Sequence, residues 1–345
     1  MLRLVSALLL ASYAWAARET VIVDTDCGLF GDDGAAIVMM LRSPQQVTVP
    51  GITIVPGNVW SAQAAEYLQH ILDLVKHPQT PVYTGAEAPL LHTSAMAHES
   101  ERRWGKLEFM GAFADEPAEV KPVPNSKLSV HHPQRRAVEF LIGEIERHPG
   151  EVTILAIGPM TNVALALELR PEIQTKIKQI VFMGGNVKVA GNASSAAEFN
   201  FWFDPEAARI VLRSRIPRKV MFALDICNLA QLHKAEFDQV VAVHTPITDL
   251  FRQDLGERYP GFLHRPTAVG YMWDSLAAAW LLDPGFVKKS ETRYLDVLTA
   301  WGRFYGATAP LDRRLAPDAT PVTVMTELDF PRVFAIYKDL LTRQD

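Results

Sequence analysis

The chain has 345 residues, 48% of them hydrophobic and 21% charged, and a formal net charge of -5 at pH 7. That length suffices for one large or two ordinary α/β domains, and the mild negative charge excludes a protein drawn as a whole to nucleic acid or anionic lipid. The two cysteines, Cys27 and Cys227, exclude a disulfide scaffold and a multi-cysteine zinc module.

The N-terminus opens with Met1-Leu2-Arg3, an apolar run from Leu4 to Tyr13, and Ala14-Trp15-Ala16, which has small residues where a signal peptidase reads. The run is too short to remain in a bilayer as a spanning helix. It is expected to be a cleaved signal peptide over 1–16, leaving one domain over 17–345 that is secreted or periplasmic. No later segment is long and apolar enough to hold that product in a membrane.

In chain order, the pattern predicts a strand over 21–23, a helix over 35–41 and a β-branched strand over 47–55 that stops at Pro56-Gly57-Asn58. A helix over 62–75 and a short strand over 81–83 follow. From about Ala88 to Pro133 the sequence turns polar and contains Gly and Pro, the composition of a long loop or lid. Alternation resumes with a helix over 137–147, a strand over 152–157, a helix over 161–169, a strand over 177–183, a helix over 205–213 and a strand over 220–224. This order implies an α/β fold with a mostly parallel, doubly wound (Rossmann-like) sheet and helices on both faces. No linker or internal repeat divides it. Ligands of such sheets bind beyond the carboxyl ends of the strands. There the chain places Asp24 to Asp33, Pro56-Gly57-Asn58, Ile157-Gly158-Pro159, Gly184-Gly185-Asn186 and Asp225-Ile226-Cys227, which argues for one shared site.

Asp24, Asp26, Asp32 and Asp33 crowd one strand end. Like charges at such spacing need protons or a cation between them, and oxygen donors without His or Cys suit a hard ion, calcium or magnesium. An acidic turn capping a helix near Asp33 would need only one of the four. A phosphatase of the haloacid dehalogenase class also places Asp-x-Asp after its first strand. Here Cys27-Gly28 follows the second Asp and the Asp32-Asp33 pair comes at once, a spacing that argues against that class.

The run Asp24-Thr25-Asp26-Cys27-Gly28-Leu29-Phe30-Gly31-Asp32-Asp33 resembles the Asp-x-Asp-Pro-Gly-x-Asp-Asp hallmark of the inosine–uridine-preferring nucleoside hydrolase family, with Cys for Pro and two extra residues. Val55 to Asn58, Ile157 to Asn162, Met183 to Gly185, Gly191-Asn192, Ala197 to Asn200, Asp204 to Ala208, Leu224-Asp225 and Trp273-Asp274 follow in the family's order. The resemblance covers the chain from about Thr20 onward.

It implies an enzyme that hydrolyses the N-glycosidic bond of a small ribonucleoside and binds Ca²⁺, with no nucleic-acid partner, as a homodimer or homotetramer. Asp26, Asp33 and Asp274 would hold the Ca²⁺ with the main-chain carbonyl of Ile157, and Asp26 would be the general base. Asp32, Asn58, Met183, Asn192, Glu198, Asn200 and Asp274 would surround the ribose. Cleavage builds oxocarbenium-like charge on the sugar, which fixed carboxylate and amide oxygens stabilise. Hydrogen bonds to the ribose hydroxyls should reject deoxyribose.

Many members of the family carry His before the last aspartate, where it helps protonate the leaving base; here that residue is Trp273. Purine-specific members carry Trp and stack the base between rings, which favours inosine, adenosine and guanosine. Trp104 ranks first as the second ring because it falls in the irregular segment, ahead of Phe109, Trp202 and Tyr271. His98, His131, His132 and His264 offer other proton donors, with nothing to select one. Cys27 and Cys227 are expected as free thiols. A pyrimidine-preferring or broad hydrolase, or an exported nucleoside-binding protein without catalysis, is the alternative.

Overall fold

Val21-Ile22-Val23 alternate between the two faces of a strand, and each face meets its own apolar layer. Val21 and Val23 are buried in one core cluster and Ile22 in the other. Full burial of one such side chain contributes about 1.5–3 kcal/mol. The structure, a computed structural model, describes residues 18–114, 119–123, 134–259 and 261–344. The expected signal peptide and His131-His132-Pro133 lie outside the described residues.

The chain runs through β1 (Glu19–Thr25), α1 (Gly31–Leu41), β2 (Val47–Thr48), β3 (Ile52–Ile54), α2 (Ser61–Leu74), β4 (Val82–Thr84) and α3 (Ser94–Trp104). It continues with β5 (Gln134–Arg135), α4 (Ala137–Arg147), β6 (Val152–Ala156), α5 (Thr161–Leu169), β7 (Gln179–Met183), α6 (Phe199–Phe203), α7 (Pro205–Arg213), β8 (Lys219–Phe222) and α8 (Leu224–Cys227). The last third holds β9 (Gln231–His233), α9 (Lys234–Val241), α10 (Pro246–Arg258), β10 (Val269–Tyr271), α11 (Trp273–Leu282), β11 (Val287–Val297), β12 (Thr308–Pro310), β13 (Pro321–Leu328) and α12 (Phe330–Thr342).

The main sheet has the order β12-β11-β13-β8-β7-β6-β1-β3-β4-β5, with β2 also beside β1. It is parallel from β13 to β5; β11 runs antiparallel to β13 and β12. The fold is thus a single α/β domain with a mostly parallel central sheet, as the alternation of elements predicts. One apolar layer includes residues of α1, α2, α11 and α12, and the other those of α4, α5 and α7. Register sets the site: Asp24 lies beside both Thr53 and Ala156, so β1, β3 and β6 end level with one another. The segments that follow them leave the sheet side by side. Among the described residues, no helix is long and apolar enough to cross a membrane.

Three expectations need correction. The strand over 47–55 is two strands, β2 and β3, parted by Val49-Pro50-Gly51; Pro50 has no N–H to give a ladder. The stretch after Ala88 contains α3, capped by Thr93, whose hydroxyl accepts from the Met96 N–H at 3.2 Å. Its polar surface, with Glu99 paired to Arg102 and Arg103, hid the helix from a hydrophobic pattern. The helix expected from Ala35 starts at Gly31, so Asp32 and Asp33 lie in its first turn.

Candidate active site

Asp26 leaves β1 where the neighbouring strands also end. Val55 N–H donates to the Thr25 carbonyl at 3.0 Å and Ile157 N–H to the Asp24 carbonyl at 2.9 Å, so both flanking segments travel one residue further with β1. The Asp26 side chain is fully buried. Its Oδ2 accepts the Asn58 main-chain N–H at 2.7 Å, while Oδ1 has no partner among the described residues. Glycines wall it in: a Cβ on Gly57 would lie 2.1 Å from Asp26 Oδ2, and one on Gly158 would lie 2.8 Å from Oδ1. Burial, and then the neighbouring Asp33 charge, push this carboxyl well above its ordinary range.

Asp33 accepts the Thr25 hydroxyl at 2.5 Å and the Asn58 side-chain amide at 3.1 Å. Asn58, expected beside the ribose, therefore gives both its nitrogens to the acidic pair. Asp274 enters from the first turn of α11, which packs in the same core layer as α1. One carboxylate oxygen from each of Asp32, Asp33 and Asp274 lies within 4.8 Å of the other two. Burial raises the Asp274 carboxyl well above its ordinary value, and the Asp32, Asp33, Asp26 and Glu198 charges raise it further. An all-oxygen triad whose charges repel, next to a buried carboxylate oxygen without a partner, fits a hard divalent cation. The triad draws in Asp32, assigned above to the ribose, while Asp26 stands just outside it.

Asp24 is different in kind. Its Oδ1 accepts the Thr53 hydroxyl at 2.6 Å and the Asn162 amide at 2.8 Å, tying β1 to β3 and α5. Burial pushes it up to about 7. It is a brace for the loop.

On the other side of the strand ends, Glu198 caps α6. Its carboxylate accepts from the N–H groups of Gly185 at 2.7 Å, Asn200 at 2.8 Å and Phe201 at 3.0 Å. It is buried, which pushes it up to about 7 despite those donors. Asn200 Nδ2 reaches the Ile157 carbonyl at 3.3 Å and the Met183 carbonyl at 3.2 Å. The structure thus joins Ile157, Met183, Glu198 and Asn200 in one network. Asn192 accepts the Phe199 N–H at 2.8 Å. Asn186, noted in the sequence only as a strand-end residue, is the hub of this loop. It accepts the Glu198 N–H at 3.1 Å and donates to the Val189 and Ala196 carbonyls at 2.8 and 3.2 Å. Asp225 holds the same loop by accepting from Val187 and Lys188 N–H at 2.7 and 2.8 Å. No sequence pattern marks such contacts, because they depend on loop closure.

Trp273, the first residue of α11, is half-buried and stacked on Tyr271, and its indole N–H is buried without a partner among the described residues. Trp104 packs against Trp301 with ring centroids 4.9 Å apart. Phe109, 45% exposed, lies 4.7 Å from Phe199, next to Glu198. Trp202 is buried, and His98 and His264 are exposed. Cys27 and Cys227 are both buried and form no disulfide among the described residues.

Residues 21–335 match the family described as inosine-uridine preferring nucleoside hydrolase. The pyrimidine-specific ribonucleoside hydrolase RihA of Salmonella enteritidis PT4 is 34% identical over 316 residues, 90% of this chain and 94% of RihA. Among solved structures, an inosine-guanosine nucleoside hydrolase superposes with a TM-score of 0.76 at 26% identity, over 94% of this chain and 99% of the other. The purine-preferring ribonucleoside hydrolase from Gardnerella vaginalis gives 0.72 at 26% identity, over 94% and 98%.

Proposed function

The chain belongs to the inosine-uridine preferring nucleoside hydrolase family and is a ribonucleoside hydrolase, and on that premise we propose that it cleaves purine ribonucleosides in preference to pyrimidine ones, with Ca²⁺ as its cation. The observation that carries the chemistry is the Asp26 carboxylate, buried between Gly57 and Gly158 with one oxygen unpartnered beside the acidic triad.

Asp32, Asp33 and Asp274, with Asp26 adjoining, are the residues that would hold the cation. When bound, it supplies the positive charge that keeps these carboxylates ionised and makes water more acidic. Asp26 is the general base: its open oxygen takes a proton from the water that adds to the sugar. Asn58 and the two glycines fix that carboxylate, so the base is aimed before substrate arrives. Glu198, Asn200 and Asn192 line the ribose side, and Met183 forms its floor. Their oxygens face the positive charge that develops as the C–N bond breaks and the leaving base keeps the bonding electrons. That base takes a proton from solvent, leaving free ribose.

Purine preference is supported by Trp273, whose ring is already backed by Tyr271 and offers a platform for a large base. Pyrimidine ribonucleosides are the alternative, favoured by the 34% identity to RihA. Export through residues 1–16 is part of the proposal, and N-terminal sequencing of the mature protein should begin at Ala17. The deciding experiment measures ribose release from inosine, adenosine, guanosine, uridine and cytidine, with calcium, with magnesium and with a chelator. Inosine cleaved at least tenfold faster than uridine, in calcium and not in chelator, is the expected result. Faster uridine cleavage overturns the base preference, and no ribose from any nucleoside overturns the catalytic proposal.

A further inference from the structure

α6 is five residues long, Phe199-Asn200-Phe201-Trp202-Phe203. So short a helix has no stability of its own, and its direction is set by whatever holds its ends. Glu198 and Asn186 hold the first end, as described above. The second end is held by His92, which comes from the loop between β4 and α3. Its Nδ1 lies 3.0 Å from the Trp202 carbonyl oxygen and 3.3 Å from that of Phe203. Carbonyls only accept, so Nδ1 carries the proton and Nε2 is the bare nitrogen. That Nε2 is buried with no partner among the described residues. Phe113, Trp202 and Tyr305 meet the imidazole edge-on, with centroids 4.8–4.9 Å away. The same loop is stitched down twice more. Leu90 N–H donates to Asp204 at 3.0 Å, and Ala86 N–H to Asn162 at 3.0 Å.

We infer that His92 is a positioning residue for ribonucleoside hydrolysis, whose forked Nδ1–H bond sets the tilt of α6 and so the reach of Asn200 toward the ribose. An aromatic ring alone would fill this cage equally well. What the imidazole adds is one donor for two carbonyls that would otherwise be buried unsatisfied at a helix end. Without it, the last turn of α6 is free to rotate to find other donors. Asn200 then shifts from the Ile157 and Met183 carbonyls it now reaches. The inference rests on the proposed ribose-binding role of Asn200 and Glu198.

The test compares His92→Phe, which keeps the bulk and removes the donor, with His92→Asn, whose amide nitrogen sits where Nδ1 does. His92→Gln, whose amide falls nearer the Nε2 position, is a second donor-misplaced variant should the Phe protein not fold. Each is assayed for kcat and KM on the preferred ribonucleoside and its 2′-deoxy counterpart, with a thermal melt as control. Expected is a fall of tenfold or more in kcat/KM for the ribonucleoside in His92→Phe or His92→Gln. The ribo-to-deoxyribo ratio should fall with it, because contacts to the sugar hydroxyls are what is lost. His92→Asn should recover to within threefold of wild type. An unchanged ratio, or no recovery in a His92→Asn protein that melts like wild type, overturns the inference. Wild-type protein that releases no ribose at all overturns the functional proposal and this inference with it.

Discussion

Tyr271 lies against Trp273 with ring centroids 4.9 Å apart and planes inclined by 26°, so one face of the indole is covered by the protein itself. The pair joins the end of β10 to the first turn of α11, the turn that also carries Asp274. Base platform and cation ligand are therefore adjacent in the chain, and a change in one is felt at the other.

If the covered face keeps the indole in place for a purine, removing Tyr271 should cost the stacking of one aromatic pair. Such pairs are worth about 0.5–1.5 kcal/mol, or about 2- to 12-fold in rate. Tyr271→Ala should lower kcat/KM for inosine by that factor and leave uridine almost unchanged. Trp273→Ala should show the same selectivity more strongly. Equal losses on the two substrates in steady-state assays would assign the pair to packing alone.

The glycines on either side of Asp26 make a second prediction. A Cβ at Gly57 has no room unless the Asp26 carboxylate moves. Overpacking of this kind costs about 1–3 kcal/mol of stability, which a domain of this size tolerates. Displacing a general base costs far more in rate. Gly57→Ala should lose about 100-fold or more in kcat while its melting temperature falls by only a few degrees. A variant that keeps a tenth of wild-type kcat would show that the Asp26 position is not critical.

Much of the fold is legible where local and tertiary signals agree. The α7 helix announces itself through Asp204, which caps Ala207 N–H, and Pro205 in its first turn. The spans of α4 and α5 follow from their apolar spacing. By contrast α6 is five residues, four of them aromatic, and no periodicity is readable over so short a run. The antiparallel β11 and β12 come late in a chain whose earlier main-sheet strands are parallel, and the half-exposed β11 carries many charges. Asp32 and Asp33 are legible as an acidic cluster because they are consecutive. That Asp274 meets them is legible only through the family resemblance, because residue spacing alone does not show α11 packing on the same core layer as α1. Asn186 and His92 escape for a related reason: each acts on main-chain groups, which leave no trace in residue type.

Cation binding should appear as stability. The Asp26 and Asp274 carboxyls are held above their ordinary range by burial and by neighbouring carboxylates, Asp33 and Asp32 among them, and a bound cation relieves that repulsion. At a concentration 100-fold above Kd, binding contributes about 2.7 kcal/mol, which for a domain this large is a shift of roughly 5 °C. Calcium should raise the melting temperature more than magnesium. The increment should grow between pH 5 and pH 8, because protons compete for the same oxygens. Asp274→Asn should abolish most of it. A melting temperature indifferent to calcium and to chelator would remove the triad as a cation site.

His92 should make the protein sensitive to acid in a defined window. Burial pushes its imidazole down to about 4 from an ordinary value of 6.5. Above pH 6.5 the ring is neutral folded or unfolded, and its contribution is complete. Between 6.5 and 4 the unfolded chain binds a proton that the folded chain refuses, so stability falls as pH falls, by up to about 3 kcal/mol in all. The rings around it, Phe113, Trp202 and Tyr305, offer no charge to compensate, and the Tyr305 hydroxyl is committed to Glu206 at 2.8 Å. His92→Phe lacks this titration. Denaturant unfolding at pH 7, 6 and 5 should therefore show wild type losing about 2 kcal/mol relative to the variant, most of it below pH 6. A difference that stays constant across that range would mean that the folded protein accepts the proton, and that the cage around His92 is open to water.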